Sequence, residues 1–214
     1  MKTFREYLVE GLDPYDSLRK DPWQAAHYAV ETGRRVPELE GVISKDSNAS
    51  FLYASEVLFD RFPEGEPAIL KHPRAAVNYA SQVIKGPWPE AEELIAKHPF
   101  RAAEYAKKAL KGRFPEGELL IKRFPVISYP YARDVVKGRW PEAEEYISKD
   151  AKIAVWYARN VIKGRWPEAE DSILAYRGII SNPRRDYVHD ILKPWLEEHP
   201  EEREEIEAKF GKWL

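Results

Sequence analysis

Six prolines, Pro37, Pro63, Pro89, Pro115, Pro141 and Pro167, recur every 26 residues without a slip. Each is followed by Glu at the next position, a second Glu two further on, and Ile at the sixth. A fixed period of this length means one small supersecondary unit copied and stacked on itself, so a repeat array is expected rather than a single irregular core. The sequence therefore predicts an all-α fold, an α-solenoid of 26-residue two-helix repeats, with six regular copies and degenerate N- and C-terminal caps.

Each copy carries the punctuation of two short helices. The first begins at the periodic proline, whose missing N–H costs nothing at the first helical position. Glutamates in the first turn, such as Glu142 and Glu144, meet the positive end of the helix dipole. The Ile column (Ile43, Ile69, Ile95, Ile121, Ile147, Ile173) lies four residues after a column of Leu39, Gly65, Ala91, Gly117, Ala143 and Ala169, which makes one apolar stripe. The second helix opens at Asp or His before another proline, as in Asp21-Pro22, His72-Pro73 and His98-Pro99. It closes at Lys-Gly, and Gly86, Gly112, Gly138 and Gly164 read as left-handed stops.

The inner face of the second helix is set by Tyr28, Tyr53, Tyr79, Tyr105, Tyr131 and Tyr157. Small residues stand three before each (Ala25, Ser50, Ala76, Ala102, Ser128, Ala154) and Ala one after (Ala29 to Ala158). Small side chains one turn apart let neighbouring helices approach closely. Two prolines in the run from Phe124 to Pro130 bracket the start of one such helix and predict that it is shortened. N-terminal capping helices are expected over residues 1–24, built around Phe4, Tyr7, Leu8 and Pro14, the array over 25–176, and C-terminal capping helices over 177–214, where Tyr187, Ile191, Leu192, Pro200 and Ile206 repeat the pattern in diluted form.

The string KGRWPEAE, whole at Lys137 to Glu144 and Lys163 to Glu170, resembles a short helical repeat of many uncharacterised bacteriophage-encoded and some bacterial proteins. The likeness covers residues 25 to 176. It implies helical repeats and a phage setting, such as host takeover, inhibition of a host defence, or a virion role, but supplies no catalytic or binding residues. Pro87, where other copies have Arg, and Val36, where they have Trp or Phe, depart from the motif.

Composition excludes several function classes. Lys plus Arg number 34 against 36 Asp plus Glu, a formal charge of -2, so the chain has no global positive field for nucleic acid. There is no cysteine, hence no disulfide, thiolate metal site or cysteine nucleophile. No apolar run reaches about 18 residues, and Arg5 and Glu6 stand where a signal peptide needs apolar residues, so a cytoplasmic protein is expected, in the host cell if phage-encoded.

Arg followed by an aromatic residue precedes four of the prolines: Arg61-Phe62, Arg113-Phe114, Arg139-Trp140 and Arg165-Trp166. Such a ladder can offer phosphate contacts and stacking platforms. The in-register glutamates favour the structural alternative, in which the aromatic side chain wedges between copies and Arg pairs with Glu. Asp46, His72, His98, Phe124 and Asp150 align in one loop column. Capping is the better account of that column, because a spacing of about 10 Å between copies makes it awkward for imidazoles to converge on one metal. Paired glutamates recurring sixfold in one environment argue against acid–base chemistry, and no catalytic motif is present. No enzyme, metal or cofactor is expected. Partner-binding candidates are the aromatic residues that break the consensus, Tyr129, Tyr146, Trp156 and Tyr176, with Arg139 and Arg165 of the ladder. A protein partner is the first reading, a nucleic acid or nucleotide the second, and a self-assembling or virion role the third.

Overall fold

A computed structural model describes residues 15–178 and 182–214. The chain divides into two compact units whose boundary falls between Leu110 and Lys111. Both are built from the same helical hairpin, and the described residues contain no strand. The architecture is an all-α helical-repeat solenoid. The proposed N-terminal capping helices lie largely on residues 1–14, outside the described residues, and helix Pro22–Thr32 runs straight across the expected 24/25 boundary.

In the first unit the tyrosine-bearing helices are Pro22–Thr32, Ser47–Tyr53, Pro73–Tyr79 and Pro99–Tyr105, each packed on the next. Between them lie Pro37–Ile43 and Pro89–Ala96, which start at their periodic prolines as expected, and Glu66–Ile69, which starts three residues after Pro63, itself in a turn. The second unit repeats the scheme with proline-led helices Pro115–Ile121, Pro141–Ile147 and Pro167–Ala175 and tyrosine helices Pro125–Tyr131, Ala151–Tyr157 and Pro183–Tyr187. It ends in Lys193–Glu198 and Arg203–Phe210, where Ile206 and Phe210 are fully buried.

The inner face is the one that the small columns define. Tyr53, Tyr79, Tyr105, Tyr157 and Tyr187, the alanines that follow the repeat tyrosines, and all six isoleucines are fully buried. Gly65 shows how close the copies come: a Cβ there would lie 2.6 Å from Ser50 Cβ and 2.5 Å from Phe62 Cδ1.

Three features differ from the sequence reading. The left-handed residue that ends each tyrosine helix is the lysine, not the glycine: Lys85, Lys111, Lys137 and Lys163 have φ between 52° and 60°, as does Phe59, whereas Gly33 alone among the described glycines has positive φ. The last turn widens into a π-helical turn, and the N–H of Gly86, Gly138 and Gly164 reaches back to the carbonyls of Ala80, Ala132 and Ala158. Holding a lysine in this region costs about 1–2 kcal/mol, which the packing of the helix offsets. Of Gly86, Gly138 and Gly164, the glycines that follow it, a Cβ would meet a neighbour only at Gly164, 2.6 Å from the Trp195 ring.

Helix Pro125–Tyr131 is not shortened. It has the seven residues of its counterparts and carries Pro130 inside it, with Ile127, Ser128, Tyr129 and Tyr131 buried against neighbours. In the cap column, Asp21, Asp46 and Asp150 accept N–H bonds from the first turn, whereas His72 and His98 occupy the position without a side-chain cap.

Candidate functional site

The repeated constellation is a three-residue rung joining the proline-led helix of a copy to the tyrosine helix that follows it. In each, the tyrosine hydroxyl accepts the backbone N–H of the residue just before the proline of the preceding proline-led helix. Val36, Phe62, Trp88, Phe114, Trp140 and Trp166 donate to Tyr53, Tyr79, Tyr105, Tyr131, Tyr157 and Tyr187 at 2.6–3.2 Å. The same hydroxyls donate to the second glutamate of the motif, Glu40, Glu66, Glu92, Glu118, Glu144 and Glu170. In five rungs the arginine before the aromatic position grips that glutamate through Nε and Nη2: Arg35, Arg61, Arg113, Arg139 and Arg165, at 2.6–3.3 Å. A planar fork on a carboxylate is the strong form of this contact.

Each rung explains its sequence. The aromatic residue is buried against the preceding tyrosine, with ring centroids 5.0 Å apart in Tyr79–Trp88 and Tyr131–Trp140, while its N–H, which belongs to no helix, is satisfied by the next tyrosine. An unpaired buried N–H costs about 1–3 kcal/mol, so the tyrosine hydroxyl is as necessary as its ring.

The electrostatics follow from the same contacts. Hydrogen bonds from Arg35 and Arg61, helped by Tyr53 and Tyr79, hold the Glu40 and Glu66 carboxyls below their ordinary value against the effect of burial. Burial pushes Glu118 and Glu144 upward, but their arginine and tyrosine hydrogen bonds outweigh it and the net shift is again down. Burial pushes the Tyr53 hydroxyl up to about 12 and raises Tyr79, Tyr105, Tyr131, Tyr157 and Tyr187 as well.

The sign of the pH dependence differs at the two ends. Depressed carboxyls add stability that is complete above the unfolded value of 4.5 and is lost as pH falls through the folded values. Raised tyrosines add stability that is complete below the unfolded value of 10.0 and is lost as pH rises beyond it. Urea midpoints are expected to be flat from about pH 6 to 9 and to fall on both sides. A midpoint that drops within that range would contradict the rungs.

The six partner-binding candidates separate into different environments. Tyr129 is 8% exposed and Trp156 48% exposed, and the two rings meet across adjacent copies at 6.2 Å. Asn160 donates to the Tyr129 hydroxyl at 2.9 Å and the Arg133 guanidinium stands 5.4 Å from its ring. Tyr146 and Tyr176 are half-buried, each with a lysine, Lys149 or Lys152, about its ring at 5.8 and 5.5 Å. Arg139 is half-exposed but committed to Glu144. Arg165 is withdrawn from the surface: its side chain is 5% exposed and its guanidinium meets Glu170, Glu202 and Glu205. Two of those carboxylates come from the C-terminal helices, which is why the repeat pattern did not anticipate it.

Sequence reasoning also missed three exposed large apolar side chains among the described residues of the second unit. Leu119, Phe124 and Val126 are 64%, 45% and 60% exposed. The available signal was their departure from their columns. Leu119 aligns with Gly41, Pro67, Glu93, Glu145 and Asp171, Phe124 with Asp46, His72, His98 and Asp150, and Val126 with Asn48, Arg74, Phe100 and Lys152. Lys122 and Arg123 lie between them and form no ion pair with any described residue.

Among the described residues, the metal-type grouping is His199, Glu201 and Glu202 rather than the His72–His98 column. Its members are already engaged, Glu202 by Arg165 and by Trp195 Nε1 at 3.0 Å, and His199 by stacking on Trp195 at 3.9 Å. No described helix is long and apolar enough to cross a membrane. Comparison with protein-family models, curated proteins and solved structures finds no match.

Proposed function

We propose that this chain is a non-enzymatic binding protein whose helical-repeat surface is presented to a protein partner. The observation that carries the reading is the exposed Leu119–Phe124–Val126 group, apolar where sister copies are mostly polar, charged or small, and flanked by the unpaired Lys122 and Arg123. Apolar anchors with a charged rim are the usual anatomy of a protein interface. Trp156, exposed beside Tyr129, supplies a further aromatic anchor in the same unit. Repeat arrays suit this role because stability comes from the stacked interior, leaving surface positions free to vary.

Two observations weigh against the alternatives. The ladder arginines are neutralised by their own glutamates, which removes the phosphate-binding field that a nucleic-acid reader needs. The tyrosines with raised pKa all belong to rungs that recur in one environment, unlike a catalytic group in a unique setting. The KGRWPEAE resemblance agrees with a phage-encoded modulator of a host system.

The test uses residues that sister copies already tolerate. Leu119→Glu, Phe124→Asp and Val126→Lys together convert the group to the residues found at Glu145, Asp150 and Lys152. Thermal stability should be unchanged, and a protein retained by the wild-type chain from cells carrying its gene should be lost by the triple variant. Equal retention by both, or concentration-dependent self-association abolished by the variant, would overturn a separate protein partner in favour of another face or of self-assembly. A complex with nucleic acid that disappears in Arg139→Ala would overturn the reading altogether.

A further inference from the structure

One rung is incomplete. In the copy that begins at Pro89, position 87 is proline, where Arg35, Arg61, Arg113, Arg139 and Arg165 stand in the others. The rest of the rung is intact: the Trp88 N–H donates to Tyr105 Oη at 2.7 Å, and Tyr105 Oη donates to Glu92 Oε1 at 2.8 Å. Glu92 is half-buried and has no ion-pair partner among the described residues. Its carboxylate is thus held in the orientation that its counterparts present to a guanidinium, with the guanidinium missing.

We propose that Glu92 is an open guanidinium seat, filled by an arginine side chain of a partner protein. The remaining rungs act as internal templates, because the same carboxylate, fixed by the same tyrosine, binds Nε and Nη2 of an arginine at 2.6–3.3 Å in five copies. A planar fork matches both carboxylate oxygens, and a lysine ammonium does not. Pro87, standing where the other copies carry the arginine, is exposed, and a Cβ built on Gly86 would meet nothing within 4 Å. A proline at position 87 also cannot supply a competing side-chain donor, so the seat stays available. The inference rests on the protein-binding reading only for the source of the arginine. The seat itself belongs to the first unit and does not depend on the Leu119 group.

The full chain, labelled with ¹³C in its glutamate side chains, is titrated with Nα-acetyl-arginine amide while the carboxyl resonances of Glu92, Glu66, Glu144 and the exposed Glu90 are followed. A single exposed ion pair is weak, so the titration runs to high ligand concentration. The Glu92 signal should move saturably and about threefold further than Glu90, with Glu66 and Glu144, whose seats are filled, unmoved. Nα-acetyl-lysine amide should move Glu92 no more than Glu90. In Pro87→Arg, the free protein should already show a Glu92 resonance displaced towards that of Glu144 and should no longer respond. A Glu92 response equal to that of Glu90, an equal response to the lysine amide, or persistence of the response in a folded Pro87→Arg chain would overturn the seat. Failure of the Leu119 triple variant to alter partner binding would leave all of these results untouched.

Discussion

Arg165→Ala is expected to destabilise the protein by about 3–5 kcal/mol, whereas Arg139→Ala, the same substitution one copy earlier, should cost under about 1 kcal/mol. The two arginines occupy equivalent positions and make the same fork, Nε and Nη2 on the glutamate five residues on. Their surroundings differ. The Arg139 side chain is 51% exposed, so water takes over solvation of Glu144 when the guanidinium goes. The Arg165 side chain is 5% exposed, Glu170 is fully buried, and Glu202 and Glu205 converge on the same guanidinium. Removing it strands a buried carboxylate and loosens the C-terminal helices that Glu202 and Glu205 anchor. Lys209, 3.1 Å from Glu170, compensates in part and places the loss towards the lower end of the range. Urea unfolding of both variants measures the difference. Equal, small losses would mean that the C-terminal helices do not close over the last rung.

Tyr79→Ala carries the second large effect, about 3 kcal/mol or more, because it opens a void against Trp88 and removes both bonds of a rung. Tyr79→Phe separates the contributions. It keeps the ring but leaves the buried Phe62 N–H without its acceptor and Glu66 without its tyrosine donor, a loss of about 1–3 kcal/mol. Gln82→Ala, on the exposed side of the same helix region, should be close to neutral. Similar losses for Tyr79→Ala and Gln82→Ala in denaturant melts would contradict the assignment of the inner face.

Much of this arrangement is legible in the sequence because it depends on spacing. The 26-residue proline period, the Ile stripe, the small residues around each tyrosine and the Arg-aromatic-Pro-Glu-x-Glu register all follow from one-dimensional pattern, and each falls where the pattern puts it. What was not legible depends on contacts distant in sequence or on backbone detail. Tyr157 reaches 17 residues back to the Trp140 N–H, which no local rule supplies. The left-handed stop falls on Lys137 rather than Gly138 because the wide final turn reverses one residue earlier than a standard stop. Arg165 reads as one more rung of an exposed ladder until Glu202 and Glu205 arrive from 37 and 40 residues away. The prolines of helix Pro125–Tyr131 read as breakers because intrinsic preference was weighed without the four side chains that the helix buries.

The candidate site was less legible than the fold. Consensus-breaking aromatic residues pointed to Tyr129 and Trp156, which do meet, but not to which of them is exposed, since burial depends on the adjacent copy. Leu119, Phe124 and Val126 look like ordinary apolar residues in isolation. Only comparison down their columns marks them as unusual.

Like-for-like helical hairpins, each closed through a tyrosine hydroxyl, are the central claim. Native-state hydrogen exchange of the Phe62, Trp88, Phe114, Trp140 and Trp166 amides tests it directly, because these groups precede their helices and have no helical partner. The expected result is protection comparable to that of the buried helix amides, with the Phe62 amide alone losing it in Tyr79→Phe. Exchange of all five at the rate of exposed loop amides, or a Phe62 amide indifferent to Tyr79→Phe, would contradict it.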